Sequence, residues 1–231
     1  SHAQALSDVD RCEIEPSEAT AMNVETIRRL CAAVSSATVV VSLSTDYVFD
    51  GTKGGPYDEL DVPHPISVYG RSKLEAERIV LAHRRGCVVR SSTLFGPARL
   101  NFCDLIVQRA RQGQSVEAFE DQTTSPTYTE YLAEALGQLV QALAARHGAW
   151  PSRVYHLTNG GACRRVDFAR RVLELIGAPA ALLKPIRMAQ QRRPALRPPY
   201  SALTSRYVTE VLGRTLRSWN EALQAYLAQH P

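Results

Sequence analysis

The chain has 231 residues, of which 45% are hydrophobic and 22% charged, with a formal net charge of +4; this is ordinary globular composition for one large domain or two modest ones. No apolar run approaches the roughly 18 residues of a membrane span, and no basic-then-apolar segment opens the sequence. Lysine occurs only at Lys53, Lys73 and Lys184, so the positive charge is nearly all arginine. The densest cluster, QQRRPALRPP at 190–199, lacks the interleaved aromatics of a single-strand platform, which argues against nucleic-acid binding.

Residues 16–34 carry Pro16 at a first helical position, acids in the first turn and apolar residues at helical spacing. ATVVVSLS at 37–44 is a short β-branched run that suits a parallel strand covered on both faces. DGTKGGPYDELDVPHP at 50–65 reads as a long loop. A helix is expected over 67–84 and a second buried strand, GCVVRSS, over 86–92. This rhythm predicts an α/β fold with an incomplete doubly wound, Rossmann-like parallel sheet.

Beyond LFGP at 94–97 the rhythm changes. Helices are expected near 101–112, 129–146 and 165–177, a strand over VYHLTN at 154–159, irregular chain over 178–203 and a closing helix around Trp219. We therefore expect a nucleotide-binding part over 1–96 and a smaller mixed α/β substrate-binding part over 97–231, with 126–146 packing back on the first. The five cysteines are odd in number and scattered without metal-ligand spacing, as in reduced thiols of a cytosolic protein.

One constellation carries chemistry. Tyr69 and Lys73 lie four residues apart and share a helix face. An ammonium beside a phenol favours the phenolate, so Lys73 is expected to lower the Tyr69 pKa. Ser44 and Thr45 close a buried strand, and open α/β sheets bind ligands at the carboxyl ends of their strands. Their hydroxyls are placed to give a carbonyl oxygen a second hydrogen bond. By itself, a tyrosine four residues before a lysine also occurs on solvated helices.

The stretch STDYVFDG…YDELDVPHPISVYGRSKLEAE resembles the catalytic core of extended short-chain dehydrogenases/reductases, and within them the dTDP-4-dehydrorhamnose reductases. The likeness continues through VRSSTLFGP, NF at 101–102, DQTTSPTYTEYLAEAL, VYHLTNGG and RPPYSALTS. It implies NAD(P)H-dependent reduction of the C4 keto group of a dTDP-4-keto-6-deoxysugar. Thr45 would orient that carbonyl, Tyr69 donate the proton, and Lys73 hold the nicotinamide ribose. The resemblance places Ser44 and Ser92 with Tyr69 and Lys73 beside NADP(H), or NADH. It places Asp46, Tyr47, Val48 and Asn101 beside the substrate, and Arg197 at the nucleotide diphosphate. Asn23 matches an asparagine that the superfamily keeps. Where the family carries an aromatic residue this chain has Thr93. Some members use Mg²⁺ at a dimer contact, but no acidic cluster in this sequence requires one.

Such reductases also use a G-x-x-G-x-x-G turn after their first strand, and that motif does not occur in the 231 residues. The resemblance therefore predicts that the strand at 37–44 has an apolar edge without a neighbour. A homodimer, another polypeptide or a preceding segment would complete the sheet. Two other functions fit the same residues: a regulatory relative akin to the β subunit of methionine adenosyltransferase, and a nucleotide-sugar epimerase or dehydratase.

Overall fold

A computed structural model describes residues 5–146 and 149–230. The first four residues and Pro231 of the two expected parts lie outside the described residues. The chain opens with α1 (Val9–Ile14) and α2 (Pro16–Ala19), a π-helical turn over Thr20–Glu25, and α3 (Thr26–Ala33). The single helix expected over 16–34 is thus interrupted at its middle. β1 (Val40–Thr45), α4 (Val68–Ala82) and β2 (Gly86–Ser91) follow, with the expected loop between β1 and α4.

The second part contains β3 (Leu94–Phe95), α5 (Phe102–Arg111), β4 (Val116–Phe119), β5 (Thr123–Thr124), β6 (Thr127–Tyr128) and α6 (Thr129–Ala145). It continues with β7 (Val154–His156), β8 (Cys163–Arg164), α7 (Arg165–Leu175), β9 (Leu183–Ile186), α8 (Val208–Leu212) and α9 (Trp219–Gln229).

The main sheet is parallel, in the order β1-β2-β7. Register aligns Val40 with Gly86, Thr45 with Ser91, and Arg90 with His156. Side chains alternate across a strand. Val40 and Val88 therefore meet Ile27, Ala76 and Val80 of α3 and α4 on one face. Val41, Cys87 and Val89 meet Leu132, Ala135, Leu139 and Leu143 of α6 on the other. Both faces are covered, which is why these strands read as unbroken apolar runs. Among the described residues no strand pairs with the outer edge of β1.

From beyond residue 96, β7 enters this sheet and α6 covers its face. The segment 178–203 is less irregular than expected, since β9 pairs in parallel with β4. Pro185 hides that strand in the sequence, yet a two-stranded ribbon has free edges where a missing N–H is harmless. A second core, built on Phe95, Ile106, Tyr128, Phe168, Leu173 and Tyr226, holds α5, α7 and α9 together. All five cysteines are free thiols. No helix among the described residues is long and apolar enough to cross a membrane.

Candidate active site

The carboxyl end of β1 delivers Thr45 into a single 3₁₀ turn, Asp46–Val48. Thr45 Oγ1 accepts from the Tyr47 amide at 3.2 Å and donates to Asp46 Oδ1 at 3.1 Å. The Asp46 carboxylate is buried and accepts two further hydroxyls, from Ser92 at 2.9 Å and from Ser201 at 2.5 Å. Burial pushes its pKa up to about 6, against the pull of the three hydroxyls.

Helix α4 starts beside this turn because Ser67 caps it, its Oγ accepting from the Gly70 amide at 3.1 Å. Tyr69 sits in its first turn, its ring edge-to-face with Tyr47 at 5.9 Å. The approach is close enough that a Cβ on Gly70 would lie 2.2 Å from the Tyr47 carbonyl oxygen. Gly70→Ala is therefore expected to destabilise the fold by about 1–3 kcal/mol, by forcing α4 away from the Thr45 turn. Urea unfolding would check this; an unchanged midpoint would refute the tight contact.

The Tyr69 phenol is held above its ordinary range, first by burial and then by the neighbouring Asp46 charge, with the Thr45 hydroxyl opposing. Lys73, expected to lower it, is not among the main influences on it. The Lys73 ammonium donates to the Leu43 carbonyl at 2.7 Å, and burial lowers its own pKa while Glu77 opposes. A half-buried, neutral phenol is an acid at pH 7 and not a base.

A cleft of about 580 Å³ opens over these residues, lined by Ser44, Thr45, Asp46, Tyr47, Tyr69, Ser92 and Asn101 among others. Of the residues expected at the site, Lys73, Val48 and Arg197 do not line it. Val48 is fully buried and packs with Phe49, Tyr57 and Leu203, since the 3₁₀ turn points it inward. Arg197 forms a bidentate pair with Asp10 of α1, at 3.0 and 2.8 Å, which uses the fork expected at a diphosphate.

Two other expected ligand contacts are engaged in the scaffold. Ser44 Oγ donates to Glu77 Oε1 at 2.5 Å. Asn101 caps α5, its Oδ1 accepting from the Cys103 and Asp104 amides and its Nδ2 donating to the Gly96 carbonyl. Asn23 acts through α4: within the π-helical turn its Nδ2 donates to Ser72 Oγ at 2.9 Å and its Oδ1 accepts from the Leu6 amide.

Sequence reasoning named Thr93 but not its backbone geometry, and it missed three other features at the cleft. Ser91 Oγ is buried and lacks a hydrogen-bond partner among the described residues, although Ser91 lines the cleft. Thr93 has φ of 41°, a left-handed backbone that β-branched residues rarely adopt. Ser201 arrives from the far side of the proline-rich segment to hold Asp46. Arg165, the first residue of α7, enters the cleft wall. None has a spacing signal; only the local strings around Ser91 and Ser201 hinted at them.

Behind the site, His156 Nδ1 lies 3.1 Å from the Tyr57 carbonyl and 3.0 Å from that of Thr204, and its Nε2 faces Arg90 at 3.4 Å. Burial, helped by Arg90 and opposed by Glu59, brings its pKa down to about 4. A histidine depressed below its unfolded value contributes stability above about pH 6.5 that is lost as pH falls through 4. Asp46, raised to about 6, has the opposite sign: its protonation favours the folded state as pH falls through 6. The two largely offset each other between pH 6 and 4. In Asp46→Asn the histidine loss is uncovered, and urea unfolding at pH 6.5 and 4.5 should show about 2 kcal/mol more acid destabilisation than in the unsubstituted chain. Parallel losses in both would refute the offset.

The RmlD substrate binding domain model matches residues 1–230. The chain belongs to that family. It is 38% identical over 233 residues to the dTDP-4-dehydrorhamnose reductase of Mycobacterium tuberculosis, covering 97% of this chain and 74% of the relative. The spore coat polysaccharide biosynthesis protein SpsK of Bacillus subtilis is 33% identical, covering 99% and 78%. The crystal structure of dTDP-4-dehydrorhamnose reductase from Bacillus anthracis in complex with NADP superposes with a TM-score of 0.90 at 27% identity, over 99% of this chain and 79% of that one. Chains of the RmlD family thus share this α/β architecture, and the present one spans about three quarters of these relatives' length.

Proposed function

We propose that this chain carries the catalytic acid of a dTDP-4-keto-6-deoxysugar reductase dependent on NADPH or NADH. The observation that supports this best is the half-buried, neutral Tyr69 phenol beside the Thr45 hydroxyl, at the carboxyl end of a parallel strand and on the wall of an open cleft. The substrate carbonyl would enter there. Thr45 now gives its single proton to Asp46. It can turn that proton to the carbonyl oxygen, because Asp46 keeps the hydroxyls of Ser92 and Ser201. Tyr69 then donates its proton to the same oxygen as negative charge develops.

A bound nicotinamide would supply the hydride. The residues fit the nicotinamide-ribose end of such a cofactor: Ser91 offers an unpartnered buried hydroxyl on the cleft wall, and Lys73 stands one turn from Tyr69 on α4. The glycine-rich pyrophosphate turn is not in this sequence, and no residue here is assigned to it. Aligned with Tyr69, Lys73 would hold ribose hydroxyls and not tune the phenol, which burial governs. Consumption of NADPH on adding a dTDP-4-keto-6-deoxysugar to the full-length protein tests this reading. Absence of consumption with either nicotinamide would overturn it.

A further inference from the structure

A second cavity of about 370 Å³ adjoins the cleft, lined by Phe102, Ile106, Arg109, Val116, Phe119 and Arg193 among others. The two cavities share four lining residues, Leu100, Asn101, Phe102 and Arg165, and Arg165 is the one cation among them. Its guanidinium lies 3.9 Å from the centre of the Phe102 ring. That stacking covers a face and leaves the in-plane N–H donors directed outward.

Among the described residues no carboxylate or carbonyl accepts from those donors. The other arginines of the second cavity are engaged: Arg109 donates to the Ser115 carbonyl, and Arg193 to Gln191 Oε1. Arg193 also reaches Asp10 at 4.0 Å. Two charges from other elements act on Arg165: the Arg193 cation, which repels it, and more weakly Asp46, which already accepts three hydroxyls. A half-buried guanidinium held against an aromatic ring and without an acceptor has a cost that an anion would remove.

We propose that Arg165 clamps the diphosphate of a sugar nucleotide that spans both cavities, with its sugar toward Thr45 and Tyr69. This rests on the reductase reading for the identity of the sugar, and on the unpaired cation at the junction for the diphosphate. The ligand it fits carries anionic charge where the two cavities join. A nucleoside diphosphate sugar has that distribution. Arginine suits it because its fork binds two phosphate oxygens at once.

The test is calorimetric titration of the full-length protein with dTDP and with thymidine, comparing Arg165→Met and Arg165→Lys with the unsubstituted chain. Arg165→Met keeps the apolar stem on Phe102, and its thermal midpoint shows whether the fold survives. Affinity for dTDP should fall about 10- to 100-fold in Arg165→Met, with thymidine affinity unchanged. Arg165→Lys should recover part of the loss, as a point charge without the fork. Higher salt should narrow the difference between the arginine and methionine proteins.

Equal dTDP affinity in Arg165→Met and the unsubstituted protein would overturn the clamp, as would a protein that binds dTDP no better than thymidine. Should Arg165→Met misfold, the dTDP-against-thymidine ratio of Arg165→Lys decides, and an unchanged ratio overturns the clamp. Turnover is measured separately. Intact keto-sugar reduction with no Arg165 effect removes the clamp and leaves the reductase reading. An Arg165-dependent dTDP affinity with no reduction does the reverse.

Discussion

Tyr69→Phe is expected to lower keto-sugar turnover by about 10²- to 10⁴-fold, with KM changed only a few-fold. The substitution removes one oxygen and keeps the ring that meets Tyr47 edge-to-face. The fold should therefore survive, and the loss should fall on the chemical step. Thr45 does not replace that proton, since its hydroxyl has one hydrogen and Asp46 competes for it. Burial and the Asp46 charge hold the phenol above its ordinary value of about 10. The acid form should hence persist, and turnover stay level, from neutral pH to about pH 9. Stopped-flow or steady-state NADPH consumption across that range would show it. A variant retaining more than a tenth of the activity would mean that the proton comes from elsewhere.

The second large effect concerns stability. Arg90 and Glu77 are 4% and 3% exposed and form a bidentate pair, at 2.9 and 2.7 Å, between β2 and α4. Arg90 also lies over the Phe49 ring at 5.2 Å and faces His156 Nε2. Arg90→Met fills much of the volume but leaves the Glu77 charge buried, with Ser44 as its only remaining donor among the described residues. Breaking such a pair from one side costs about 3–5 kcal/mol. For a chain of this size that lowers Tm by roughly 6–20 °C. Replacing both partners with methionine should restore most of the loss, because no unpaired charge remains. Calorimetry of the two single variants and the double one completes the cycle. An Arg90→Met protein within 1 kcal/mol of the unsubstituted chain would show that Glu77 is solvated or protonated there.

Much of the first part was legible because its signals are local. Val39, Val40 and Val41 give a two-faced buried strand, Ser67 and Gly70 mark the start of α4, and Tyr69 and Lys73 fall on one helix face. What stayed hidden depends on partners far apart in sequence. β4 and β9 pair across more than sixty residues, and Pro185 argues against a strand when read alone. The π-helical turn around Asn23 is set by its contact with Ser72, 49 residues away. Spacing and the family resemblance both point Lys73 at Tyr69, yet the fold turns its ammonium toward the Leu43 carbonyl. Arg197 was read at a diphosphate, and Asp10 holds it. Arg165 had no signal at all, since an arginine at a helix start is unremarkable until its surroundings lack an acceptor.

The hydrogen bond from Ser201 to Asp46 joins residues separated by 155 positions. Its effect is temporal as well as geometric. Contacts between distant residues close late, after the loop entropy between them has been overcome. Asp46 competes for the proton of Thr45, so the hydroxyl that would orient a carbonyl is set correctly only once the segment after the proline-rich stretch has docked. A folding intermediate with β1, α4 and β2 in place would hold Tyr69 and Thr45 near each other with an under-bonded aspartate beside them. Competence to donate a proton would thus arrive with the last part of the chain, making the site a reporter of finished folding.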